Sequence, residues 1–191
     1  LIAELLKGFQ LCLGQTEDDN RMLRELGAGR VACLGNLKFS APPLPADAAE
    51  LSRLQAAFDG RPRWLAASTH PGEEAMVAGV HRALEAEAPG LLTLLVPRHP
   101  TRGAPIAREL MAAGFRVARR GAGEAIEPDT QIYLADTLGE LGLFFRLAHI
   151  VFMGKSLVPL GGQNPLEALI LECAVLHGPH MANFQLICEQ M

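Results

Sequence analysis

From residue 63 onward, apolar runs of strand length alternate with amphipathic stretches of helical length, and this alternation constrains the fold more than any other feature. The strand candidates are Arg63–Ser68, Leu91–Val96, Phe115–Ala118, Gln131–Ala135, His149–Met153 and Ala174–His177. Between most of them lie the helical stretches Glu73–Ala88, Ala104–Ala113, Leu138–Ala148 and Pro165–Glu172. Strands alternating with helices of this length indicate βαβ units and a parallel sheet covered on both faces. The pattern predicts an α/β fold with a Rossmann-like parallel sheet and helices on both faces, running from about residue 47 to the end.

The N-terminal residues are organised differently. Leu1 to Lys7 reads as the tail of a helix stopped by Gly8, and Phe9 to Leu13 as a short strand. Thr16 can cap a helix running to Leu26, with Glu17, Asp18 and Asp19 in the first turn, where the helix dipole favours anions. Gly27 ends that helix and Arg30 to Leu34 reads as another strand. A strand–helix–strand unit over 1–39 is too small to bury both faces of its sheet, so it is expected to be the trailing part of a larger domain. The segment 40–46, Ser-Ala-Pro-Pro-Leu-Pro-Ala, carries three prolines and is expected to be a linker. Asp47, with Glu50 at capping-box spacing, then opens a second domain over 47–191.

Composition excludes several classes of function. The formal net charge is −4, and binding nucleic acid needs a basic stripe to neutralise phosphates. No apolar run approaches the roughly 18 residues that span a bilayer, and no signal-peptide pattern is present. The cysteines Cys12, Cys33, Cys173 and Cys188 are far apart and form no CxxC, which reads as reduced thiols.

The polar clusters each follow a strand. Ser68-Thr69-His70 with Gly72-Glu73-Glu74 follows the first, Pro97-Arg98-His99-Pro100 the second, and Asp136-Thr137-Leu138-Gly139-Glu140 the fourth. Gly154-Lys155-Ser156 and then Gly161-Gly162-Gln163-Asn164-Pro165-Leu166-Glu167 follow the fifth, and Gly178-Pro179-His180 the sixth. In a parallel sheet all of these lie on one edge, where open α/β folds bind ligands. Gly161-Gly162 ahead of a helix with Asn164 as N-cap and Pro165 as its first residue suits a phosphate, and Thr137 with Leu138-Gly139-Glu140 suggests a second such helix start. Arg98 can add a bidentate phosphate contact. Both Asn164-x-x-Glu167 and Thr137-x-x-Glu140 are also capping-box spacings, which leaves a purely structural role open for either glutamate. His81, mid-helix amid Ala and Arg, reads as a surface residue. A metal-dependent hydrolase would need ligands among His70, Glu73, His99 and His180, which lack a fixed ligand spacing.

The ordered series of these motifs, with Ser156-Leu157-Val158, Gly35-Asn36-Leu37-Lys38-Phe39 and Gly178-Pro179-His180-x-x-Asn183-Phe184, resembles the 3-deoxy-D-manno-octulosonic acid (Kdo) transferases over essentially the whole chain. The resemblance implies the C-terminal half of a GT-B glycosyltransferase: an inverting enzyme that moves Kdo from CMP-Kdo to a lipid A precursor, without a metal or other cofactor. Another GT-B transferase that uses a different sugar nucleotide, or a nucleotide-binding module without catalysis, is the alternative reading. The resemblance places the intact protein at the cytoplasmic face of the bacterial inner membrane, with this segment soluble and not itself the membrane attachment. Carried over by motif, Pro97 and Arg98, Leu138-Gly139-Glu140, and Asn164-Pro165-Leu166-Glu167 are expected CMP contacts. Ser68, His70, Ser156, Gly161 and Gly162 are expected further donor contacts. The catalytic base and the acceptor site are expected in N-terminal sequence that this chain does not contain. Three positions depart from the family pattern: Lys155 stands where glycine is usual, Gln163 where histidine is, and Ala174 where proline is.

Overall fold

The structure, a computed structural model, describes residues 1–35, 41–58 and 60–189. The chain divides into two compact units, Leu1–Pro42 and Pro43–Met191. Asn36 to Phe39 of the Gly35–Phe39 motif, and Ser40 of the proline-rich segment, lie outside the described residues.

The first unit contains α1 (Ile2–Leu6), β1 (Cys12–Gly14), α2 (Glu17–Glu25) and β2 (Val31–Cys33), with β1 and β2 paired in parallel from Cys12↔Val31 to Gly14↔Cys33. Thr16 caps α2 reciprocally: its hydroxyl accepts from the Asp19 amide and its own amide donates to the Asp19 carboxylate, both at 3.0 Å. The first strand begins at Cys12, later than the predicted Phe9. The Gly8 and Phe9 amides are spent on the Leu5 and Leu6 carbonyls closing α1, so they are not free for a ladder.

The second unit is built on six strands: β3 (Arg63–Thr69), β4 (Leu92–Pro97), β5 (Val117–Arg119), β6 (Ile132–Leu134), β7 (Ile150–Met153) and β8 (Ala174–His177). They lie in the order β5-β6-β4-β3-β7-β8, and every pair is parallel. The helices are α3 (Ala48–Phe58), α4 (Glu73–Leu84), α5 (Gly103–Ala112), α6 (Leu141–Leu147), α7 (Leu166–Leu169) and α8 (Gln185–Cys188). Alternating side chains divide between the two faces. Leu65 and Ala67 of β3 join Leu54, Phe58, Phe144 and Leu147 of α3 and α6. Trp64 and Ala66 join Val77, Ile106 and Leu110 of α4 and α5 on the other face.

Helix ends depart from the sequence expectation for local reasons. Helix α4 stops at Leu84 rather than Ala88, because Pro89 disfavours helical backbone at Ala88 and Gly90 turns left-handed at φ 78°. Helix α6 begins at Leu141, since Gly139 sits at φ 79° and breaks any helix starting at Leu138. Helix α7 spans only four residues, and the chain behind it turns left-handed at Glu172, φ 59°. His81 is not at the surface. It is fully buried between α4 and β4, with Nδ1 2.9 Å from the Thr93 hydroxyl and its ring edge-on to Phe115.

The proline-rich segment docks on this unit from Pro43 onward. Leu44 and Ala46 pack against the core, and Arg146 donates to the Leu44 carbonyl at 2.7 Å. Gly142 is the reason the segment can come so close: a Cβ there would stand 2.4 Å from the Pro45 carbonyl oxygen.

Candidate nucleotide site at the sheet edge

The strand order changes direction at β3. The chain leaves β3 for β4 on one side and later returns to β7 on the other, so the switch point lies between β3 and β7. The loops leaving the C-terminal ends of β3, β4, β6 and β7 surround a cavity of about 270 Å³. Its lining brings together Ser68, Pro97, Arg98, Leu138, Gly139, Glu140 and Glu167 of the expected site, with Val96, Pro100, Thr137, Leu141, Phe144 and Gln163.

Arg98 is the conspicuous group in this cavity. The arginines around it are committed: Arg102 forks onto Glu74 at 2.7 and 3.0 Å, Arg119 reaches Asp136 at 2.5 Å, and Arg120 grips Glu140 and Glu50. Arg98 is exposed, and its guanidinium has no hydrogen-bond or ion-pair partner among the described residues. Only its backbone is held, the amide donating to the Thr69 carbonyl at 3.0 Å. A planar fork with all its donors free, fixed at its root on a strand end, suits an anionic oxygen.

Glu140 lines the cavity, but not as the capping residue its spacing with Thr137 suggests. The Thr137 hydroxyl donates to the Glu140 carboxylate instead of capping an amide, and Arg120 forks onto the same carboxylate through Nε at 2.7 Å and through Nη2. The Arg120 bonds hold the Glu140 carboxyl below the usual carboxylate range, against the opposing effect of burial. Glu167 carries no cation among the described residues; the Asn164 side-chain amide donates to it at 3.3 Å. Pro165, not Asn164, is the N-cap of α7, while the Asn164 side-chain oxygen Oδ1 accepts from the Leu166 amide at 3.3 Å. Asn164 thus positions Glu167 at the cavity and ties down the helix start. Pro165 and Leu166 are buried beneath it.

The other expected donor contacts separate. Ser68 lines the cavity with a left-handed backbone, φ 56°. His70 lies just outside it, Nε2 3.4 Å from the Gln163 amide, and burial pushes its imidazole below the ordinary histidine value while Glu73 opposes the shift. Ser156 is fully buried and structural: its hydroxyl donates to the Met153 carbonyl at 2.5 Å and accepts from the Gly178 amide at 2.9 Å. Gly161 and Gly162 leave no room for a side chain, since a Cβ would strike the Asn183 side chain in the first case and Met181 Sδ in the second.

Glu73 is consumed internally. Its buried carboxylate accepts the backbone N–H groups of His70, Lys155, Ser156 and Leu157 at 2.7–3.1 Å, closing the loop after β7 onto the start of α4. Lys155 adopts φ 63°, which explains why a glycine suits this position. Among the described residues, no group of three or more His, Cys, Asp or Glu side chains is placed to hold a metal ion. Sequence reasoning missed Arg120 and Glu50. Arg120 belongs to no motif and Glu50 reads only as part of a capping box; their links to Glu140 span 20 residues in one case and pass through a shared arginine in the other.

A six-stranded parallel sheet covered on both faces, with its polar loops gathered around a cavity at one edge, defines a Rossmann-like α/β domain. No family model matches the chain. It is 38% identical over 188 residues to a 3-deoxy-D-manno-octulosonic acid transferase of Bordetella pertussis, covering 96% of this chain and 44% of that protein. It is 47% identical over 124 residues to the transferase of the same name from Haemophilus influenzae, covering 65% of this chain and 29% of the other. The crystal structure of the C-terminal CMP-Kdo binding domain of WaaA from Acinetobacter baumannii superposes with a TM-score of 0.68 at 34% identity, covering 74% of each chain. The chain belongs to the 3-deoxy-D-manno-octulosonic acid transferase family. It spans less than half the length of the curated relatives described here.

Proposed function

We propose that this chain is the donor-binding part of an inverting glycosyltransferase that moves Kdo from CMP-Kdo to a lipid A precursor at the cytoplasmic face of the inner membrane. The reading is supported by family membership, by the CMP-Kdo binding of the A. baumannii domain, and above all by the Arg98 guanidinium, which has no partner among the described residues, in the lining of the sheet-edge cavity. In this reading Arg98 takes the CMP phosphate. The bend Leu138-Gly139-Glu140 and the carboxylate of Glu167 take the nucleoside, the carboxylate accepting from ribose hydroxyls. Helix α7 is too short to supply much of a dipole, so phosphate stabilisation falls chiefly to the arginine.

Catalysis in the intact enzyme requires a base to deprotonate the acceptor hydroxyl, which then attacks the anomeric carbon as CMP leaves. We assign that base and the acceptor site to the part of the family sequence that this chain does not span, and read the Leu1–Pro42 unit as the trailing part of that domain. The donor-binding part then contributes orientation and stabilisation of the leaving phosphate, with no metal. Calorimetric titration of the chain with CMP, UMP and AMP tests the reading. CMP is expected to bind at least tenfold more tightly than the other two. Equal affinities, or none, would overturn it.

A further inference from the structure

Arg120 does not line the cavity, yet its side chain donates four hydrogen bonds beside it. Its side chain is 13% exposed, and the guanidinium is shared among three partners. Nε and Nη2 fork onto Glu140, while Nη1 reaches Glu50 at 2.6 Å and the Tyr133 hydroxyl at 3.2 Å. Glu50 is itself gripped by Arg53, at 2.7 and 2.8 Å. A chain of charged hydrogen bonds therefore runs from α3, across the ends of β5 and β6, to the cavity wall. An arginine that merely neutralised a surface carboxylate would be solvated and free to change partners.

The acceptor positions of Glu140 show what this does. A carboxylate offers about four of them. Oε2 receives Arg120 Nε and the Thr137 hydroxyl, and Oε1 receives Arg120 Nη2, so one position remains, on Oε1. An ionised carboxylate only accepts, so its partner must be a ligand O–H or N–H. We infer that Arg120 is a positioning residue of the nucleotide site, orienting the Glu140 carboxylate so that its remaining acceptor position meets a hydroxyl or amino group of the bound nucleotide. This rests on the proposed CMP reading and deepens it.

The test is a double-mutant cycle read by CMP titration calorimetry on the parent chain, Arg120→Met, Glu140→Gln and the double variant. Circular dichroism and thermal melting check each fold. At pH 7.5 either single change is expected to weaken CMP about tenfold, and the double variant by less than twofold more. Because the CMP phosphate itself titrates at about pH 6, the readout is the ratio of parent to Arg120→Met affinity. That ratio should widen about threefold between pH 6 and pH 4, as Glu140 in the variant returns toward the ordinary carboxylate value of about 4.3. Should Arg120→Met not fold, Arg120→Lys, which keeps charge but loses the fork, enters the same cycle with a smaller loss. Multiplying single effects, or an Arg120 variant with unchanged affinity and a ratio to the parent that stays constant down to pH 4, overturns the positioning role alone. A parent chain that binds no CMP overturns the functional reading and this inference with it.

Discussion

The Ser156 amide lies 3.1 Å from the Glu73 carboxylate, although the two residues are 83 apart in the chain. With the amides of Lys155 and Leu157 it forms a nest of consecutive N–H groups, filled by a carboxylate from the protein itself. The bond joins the β3 and β7 loops across the switch point of the sheet, so it holds the floor from which the site is built.

Glu73→Gln leaves one oxygen to serve donors that now share two, and puts an NH₂ against backbone N–H groups. The expected loss is about 2–3 kcal/mol of stability, since hydrogen bonds to a charged group are worth about 1.5–3 kcal/mol each and the orphaned donors are buried. Urea unfolding at pH 7.5 measures it. A change below about 0.5 kcal/mol would show that the nest does not depend on the charge.

Arg98→Ala removes a side chain with no partner among the described residues. CMP affinity is expected to fall roughly 10- to 100-fold, the equivalent of one charged hydrogen bond, while the melting temperature stays within about a degree. Calorimetry beside a thermal melt separates the two. Unchanged affinity removes Arg98 from the site.

Lys155→Gly should stabilise the chain by about 0.5–1 kcal/mol. The left-handed backbone at φ 63° costs a side-chain-bearing residue roughly 1–2 kcal/mol, and the added freedom of glycine in the unfolded chain returns only part of this. Urea unfolding decides the sign, and a loss of stability would mean that the lysine stem packs more favourably than the backbone strain costs.

His81 predicts a dependence on pH. Burial pushes its imidazole below the ordinary value, and Nε2 has no partner, so the folded state holds the ring neutral. The unfolded chain binds the proton first, near pH 6.5. Stability from this group is complete above that value and is lost as pH falls below it, by up to about 1.4 kcal/mol per unit. Unfolding free energies at pH 7.5 and 5.5 should differ more in the parent than in His81→Gln. Equal slopes would assign the acid sensitivity elsewhere, His70 being the next group with a lowered value.

What the sequence made legible is what local pattern encodes. Ala174–His177 is a strand at its predicted limits, and β3, β4 and β7 lie within a residue or two of theirs, because apolar runs bounded by polar turns leave few alternatives. The edge-clustering of Arg98, Glu140 and Glu167 followed from strand direction alone. The errors arise where one residue can satisfy two roles. Thr137 and Glu140 have the spacing of a helix cap, but Arg120, contributed from the end of β5, takes the carboxylate away from the backbone. His81 looked exposed among alanines and an arginine, and only the approach of Thr93 from β4 shows where it points. Such preferences are decided by long-range neighbours that no window of sequence contains.

The seating of Leu44 and Pro45 behind Gly142 has a practical consequence for anyone trimming the protein. A domain cut at Asp47, just before α3, would strip the backing from the Gly139 bend and the start of α6 that wall the cavity. The smallest piece with an intact pocket therefore starts at or before Pro43, and the proline-rich strap is inherited with the ligand-binding half as part of its fabric.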